Sequence, residues 1–109
     1  MSMPFSLVRD SGRPVTYVDM GGWLMAVFIP SRKRTRMIAD NPLLSVANVY
    51  VHESEVGTYQ QALGLSCPGV IGHDFDRMPK IMNGILDLGW ADPDCKVMLR
   101  LDDDMRGLR

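Results

Sequence analysis

The sequence predicts an α/β domain with a mostly parallel sheet and flanking helices. Three observations carry that expectation. β-rich runs alternate with helix-like stretches from Trp23 onward. The first run, WLMAVFIP at positions 23–30, is apolar throughout, as a strand buried on both faces must be. Acidic residues are lopsided, eleven Asp against only Glu53 and Glu55, and Asp favours caps, turns and metal sites over helix interiors.

Residues 1–22 read as a separate N-terminal arm or edge strand. They hold a short alternating piece at 15–18, closed by Gly21-Gly22. The α/β domain proper is expected over 23–109. After the first strand stops at Pro30, Ser31 is placed to cap a short helix in SRKRTRMIADNP, which Pro42 ends by biasing Asn41 out of helix. VANVYV at 46–51 is a second strand, running into the polar HESE. VGTYQQALG at 56–64 is a short helix with Gly64 as its stop. A short strand at Val70-Ile71 follows. In RMPKIMNGILDLG, Ile81, Met82, Ile85 and Leu86 fall on one stripe and Gly89 stands where a C-terminal cap belongs. CKVMLRL at 95–101 is the last strand, and it runs straight into Asp102, Asp103 and Asp104.

Strands joined through helices imply right-handed crossovers, and ligands of such sheets bind beyond the carboxyl ends of the strands. Three strands end in polar groups: Ser31-Arg32, His52–Ser54 and Asp102–Asp104. All three ends are expected on one edge.

Bulk properties narrow the classes. With 109 residues the chain is one domain, able to bury roughly two-thirds of its unfolded surface. A net charge of −1 supplies no field for nucleic acid or membrane. No apolar run is long enough to span a bilayer and no signal pattern opens the chain, so a cytoplasmic protein is expected. Cys67 and Cys95 make no disulfide framework and no zinc knuckle, and the nine Met read chiefly as core.

The pattern D-x-D occurs at Asp74/Asp76, Asp92/Asp94 and Asp102/Asp104, so position must discriminate. Asp92-Pro93-Asp94 lies in a turn, and Asp76 precedes a helix it could cap. Only Asp102–Asp104 follow a strand at its ligand-facing end. Adjacent carboxylates repel, and a hard divalent cation such as Mg²⁺ removes that penalty. The plainer reading of the same residues is an exposed acidic tail beside Arg106 and Arg109. The basic run Arg32, Lys33, Arg34 and Arg36 reads as a solvated face or as an anion patch at a helix start. His52 and His73 have no partners at zinc-ligand spacing and read as ordinary polar histidines.

Taken together, AVFIPSRKR, VYVHESE, KIMNGILDLGWAD and KVMLRLDDD resemble, in order and spacing, the N-terminal nucleotide-binding half of a GT-A fold glycosyltransferase, over about residues 25–104. The resemblance implies a Rossmann-like half-fold. It places Pro30, Ser31 and Arg32 beside base and ribose, Glu53 against the base, and Lys80 and Asn83 near the nucleotide. Asp102 would contact ribose or metal, and Asp104 would ligate Mn²⁺ or Mg²⁺ on the diphosphate of a nucleoside diphosphate sugar. The chain departs from the family at His52, where an acid is common, and at Arg100, in a strand that is usually apolar. In the family the acceptor site and catalytic base follow the D-x-D, and here five residues follow Asp104. The expectation is a truncated or split donor half, without independent catalysis, with a second copy, a partner chain or its own N-terminal arm covering its sheet. The alternative is a noncatalytic interaction module that works as an oligomer.

Overall fold

The computed structural model describes residues 6–9, 15–33, 35–39, 41, 44–64 and 67–101. The expected alternation is present. After β1 (Ser6–Arg9) and β2 (Thr16–Asp19) come β3 (Leu24–Pro30), α1 (Thr35–Ala39), β4 (Asn48–His52), α2 (Val56–Leu63), β5 (Gly69–His73), α3 (Met78–Gly89) and β6 (Cys95–Arg100), with short 3₁₀ turns at Leu44–Val46 and Glu53–Glu55. The fold is α/β with a mixed six-stranded sheet. β1–β2 and β2–β3 pair antiparallel, while β3–β4, β4–β5 and β3–β6 pair parallel.

β3 is the hub. Its first half pairs with β2 through Leu24–Ala26, its second half pairs with β4 through Phe28–Pro30, and β6 runs along Leu24 to Phe28. Leu24 to Ala26 pair with both β2 and β6, and Phe28 with both β4 and β6, so β2 and β4 share one edge of β3 and β6 takes the other. Two strands thus follow each other along a single edge. The junction falls at Val27, and Asn48 closes it. Its Nδ2 donates to Thr16 O (2.9 Å) and Val27 O (3.0 Å), and its Oδ1 accepts from Thr16 N–H (2.8 Å). A side-chain amide carries the same donors and acceptor as a peptide, so it continues a ladder that β2 leaves and β4 has not yet taken up.

Period-2 alternation puts apolar groups on both sheet faces. Val18, Val27, Ile29, Val49 and Val51 face Ile38 of α1 and Tyr59 and Leu63 of α2. Tyr17, Ala26, Phe28, Tyr50 and Ile71 face Ile85 of α3. The Tyr17 hydroxyl donates to Leu88 O (3.1 Å), adding a side-chain donor to a carbonyl in the last turn of α3.

Several expectations are corrected by this packing. The piece at 15–18 is an interior strand, with Val15, Tyr17 and Val18 fully buried, because β1 pairs its outer edge and β3 its inner one. Ser31 lies four residues ahead of the first residue of α1, and its Oγ meets the Tyr59 hydroxyl at 2.7 Å. Gly64 does stop α2, with φ 53°. The α3 stripe runs through Ile81, Met82, Ile85 and Leu88, whereas Leu86 is exposed. Gly89 lies within α3, and its missing side chain leaves room for Met98 and Phe28. No helix among the described residues is long and apolar enough to cross a membrane.

Candidate functional site

The carboxyl ends of β3, β4 and β5 meet the start of α3 around an open cleft of about 270 Å³, mouth included. Ser31 and Arg32 come from the end of β3, His52 from β4 and His73 from β5. Phe75, Asp76 and Ile81 close it from the loop before α3 and its first turns. Asp76, expected as a possible cap, lines this cleft instead; the α3 cap position is Arg77, with no side-chain hydrogen bond.

The exit from β3 is held on both sides of Arg32. Ser31 N–H donates to Tyr50 O (3.0 Å), and Lys33 N–H donates to Glu55 Oε1 (2.6 Å). Lys33 takes a left-handed φ of 53°, which reverses the chain there and leaves Arg32 exposed at the rim.

The two histidines are the part the sequence does not reveal on a linear reading. Parallel pairing of β4 and β5 makes His52 and His73 Cα partners, with ring centroids 5.8 Å apart and planes at 83°. Each ring also clasps the loop that follows it. His52 Nδ1 accepts from Ser54 N–H (3.2 Å) and meets Ser54 Oγ at 2.8 Å, and His73 Nδ1 accepts from Phe75 N–H (3.1 Å). An Nδ1 that accepts an N–H carries no proton, so in the neutral ring the proton sits on Nε2. Both rings are thereby set as Nε2–H donors. A clue is visible in retrospect: the strands end alike, V-Y-V-H-E and V-I-G-H-D.

His73 sits in an aromatic row. Tyr50 lies 4.6 Å from it at a tilt of 34°, and Phe75 stacks on it at 5.6 Å and 18°. Burial, then the neighbouring His52, push the His73 pKa below its usual value, against the opposing pull of Asp74, Glu55 and Glu53. Burial likewise pushes the Tyr50 phenol up, so it stays protonated.

Of the residues the resemblance singles out, Ser31 and Arg32 line the cleft and Pro30 ends β3 just before them. Glu53 is exposed in the turn after His52, its Cα near the backbone of Gly72 rather than in the cleft. Lys80 and Asn83 are exposed on α3, and only Ile81 between them reaches the cleft. Asp102, Asp103, Asp104, Arg106 and Arg109 lie outside the described residues, as do Arg34 and Pro42. β6 is still within the sheet just before Asp102, where Leu101 N–H donates to Phe28 O at 3.0 Å. Among the described residues no group of three His, Cys, Asp or Glu side chains could hold a metal ion. The histidine pair does not fit one either, because ligating imidazoles donate their second N–H outward, whereas here Nδ1 accepts.

No family model, curated protein or solved structure matches the chain.

Proposed function

We propose that the chain binds a nucleoside diphosphate sugar at the carboxyl edge of its parallel strands, as the donor half of a glycosyltransferase-like enzyme of the GT-A type. One observation supports this reading above the others. Of the four parallel strands, β3, β4 and β5 step outward in one direction, and β6 then returns to the opposite side of β3. A reversal of strand order of this kind opens a crevice at the carboxyl ends, which is where mononucleotide-binding sheets take their ligands. In this reading Ser31 and Arg32 border the nucleotide from β3, and Asp102 and Asp104 take the ribose and metal roles that the resemblance implies.

The metal rests on Asp102 and Asp104, whose hard carboxylate oxygens suit Mn²⁺ or Mg²⁺. When bound, the cation neutralises charge on the diphosphate leaving group. Arg32 supplies a positive charge at the rim of the cleft, its backbone held by the anchored residues before and after it.

Calorimetric titration with nucleoside diphosphates, with and without Mn²⁺, tests the reading. Metal-dependent binding to one nucleotide is expected, lost in the double variant Asp102→Asn, Asp104→Asn. Binding unchanged in that variant, or none with any nucleotide, overturns it.

A noncatalytic reading is favoured by a different observation. Met78 and Leu86 on α3, Trp90 just after it, and Val97 and Leu99 on β6 are exposed large apolar side chains. β6 pairs only with β3 among the described strands. A second copy of the chain covering β6 would bury part of that surface. Light scattering should then give a dimer mass that falls to a monomer on Val97→Lys with Leu99→Lys, with no response to nucleotide.

A further inference from the structure

We propose that His52 and His73 form a two-donor seat for a phosphoryl group, each presenting Nε2–H to one of its oxygens, with Arg32 supplying the charge. The inference rests on the nucleotide-binding reading in taking that group to belong to a diphosphate, but the seat is defined by its own geometry.

Three features point to an oxygen-rich anion rather than a cation. First, both Nδ1 atoms are occupied by backbone N–H donors, which leaves each neutral ring a donor at Nε2 and an acceptor nowhere. Second, both rings line one cleft, edge to face with 5.8 Å between centroids, close enough for a single tetrahedral group to reach both. Third, Arg32 lines the cleft, and Arg together with imidazole N–H groups matches phosphate through charge-assisted hydrogen bonds. Phe75 stacks behind His73 and fixes the plane of its ring, so little ordering remains to be done on binding.

The opposing charges are identifiable. Asp76 lines the same cleft, and Asp74, Glu53 and Glu55 act on His73 from the surrounding turns. They weaken the seat, and their neutralisation should tighten it.

The test titrates the full chain with inorganic phosphate and, separately, with a nucleoside diphosphate and the corresponding nucleoside. Imidazole nitrogens are followed by NMR. Before ligand, both rings should show the Nε2–H tautomer. On adding phosphate, both Nε2 signals should move, and the nucleoside should leave them still. His52→Asn and His73→Asn separate binding from folding, because an Asn side chain can accept the same backbone N–H while lacking the Nε2–H reach. Each should fold and lose phosphate affinity about tenfold or more, while Asp76→Asn should gain it. Phosphate shifting both rings without any nucleotide binding would sustain the seat and overturn the nucleotide reading. Nucleotide binding with both imidazoles silent and both variants unaffected would do the reverse. The opposite tautomer also overturns the seat.

Discussion

The side chain of Asn48 and the backbone of Thr16 pair like two strands of a sheet, N–H to Oδ1 at 2.8 Å and Nδ2 to O at 2.9 Å. The third bond, to Val27 O, falls where β3 changes partner from β2 to β4. Asn48 is fully buried, so none of the three backbone groups has water to turn to if it is removed. Asn48→Ala should therefore destabilise the protein by about 3 kcal/mol or more, since each buried group left unpaired costs about 1–3 kcal/mol. Urea denaturation read by circular dichroism measures this. A loss below about 1 kcal/mol would mean that the junction is held by something other than this amide.

Thr16 offers the opposite sign. Its Oγ1 is buried and has no hydrogen-bond partner among the described residues. Thr16→Val keeps the shape and removes the hydroxyl, so stability should rise by about 1 kcal/mol. The same denaturation midpoint reports it.

Gly84 and Gly89 lie on the same helix and should respond differently. A Cβ at Gly84 would collide with the Tyr50 hydroxyl and come within 2.9 Å of the Phe75 ring, two rigid aromatics. A Cβ at Gly89 would meet chiefly Met98, whose unbranched chain can swing aside. Gly84→Ala should cost about 1–3 kcal/mol despite the better helix propensity of Ala, and Gly89→Ala should cost less. Gly84→Ala should also disturb the tyrosine and histidine NMR signals, because Tyr50 and Phe75 flank His73.

Stability should fall on the acid side of neutrality. The folded state holds His73 below its ordinary pKa of 6.5, mainly through burial. Between 6.5 and the lower folded value, the unfolded chain binds a proton that the folded chain refuses. The contribution is thus present above pH 6.5 and is lost as pH falls through that window. The urea midpoint should drop between pH 7.5 and pH 5, and His73→Asn should flatten that part of the profile.

The clefts and clasps follow unequally from the chain. Strands and helices from Trp23 onward were legible, because continuous apolar runs such as 24–30 and stops such as Gly64 are local signals. Two-sided burial was legible for the same reason, as Val27 and Ile29 alternate with Ala26 and Phe28. Convergence of Ser31, Arg32 and His52 at one edge followed from strand direction alone. The role of Asn48 was not legible, because nothing local distinguishes it from any polar residue at a strand start. The interior place of residues 15–18 was missed because a four-residue alternation says which faces are buried and not how many neighbours the strand has.

What the sequence by itself determined is which segments are regular and which of their faces are apolar, since both depend on periods of two and 3.6 residues within one segment. Only the tertiary structure decided which strand lies beside which. It set β6 on the far edge of β3, put β2 and β4 in line along the near edge, and chose the register that makes His52 and His73 neighbours across 21 residues of chain. The physical reason is that pairing is settled by crossovers and by which helices cover which face. α1 and α2 pack on one side of the sheet and α3 on the other, and that division, a property of the whole chain, brings two ordinary loop-capping histidines into one cleft.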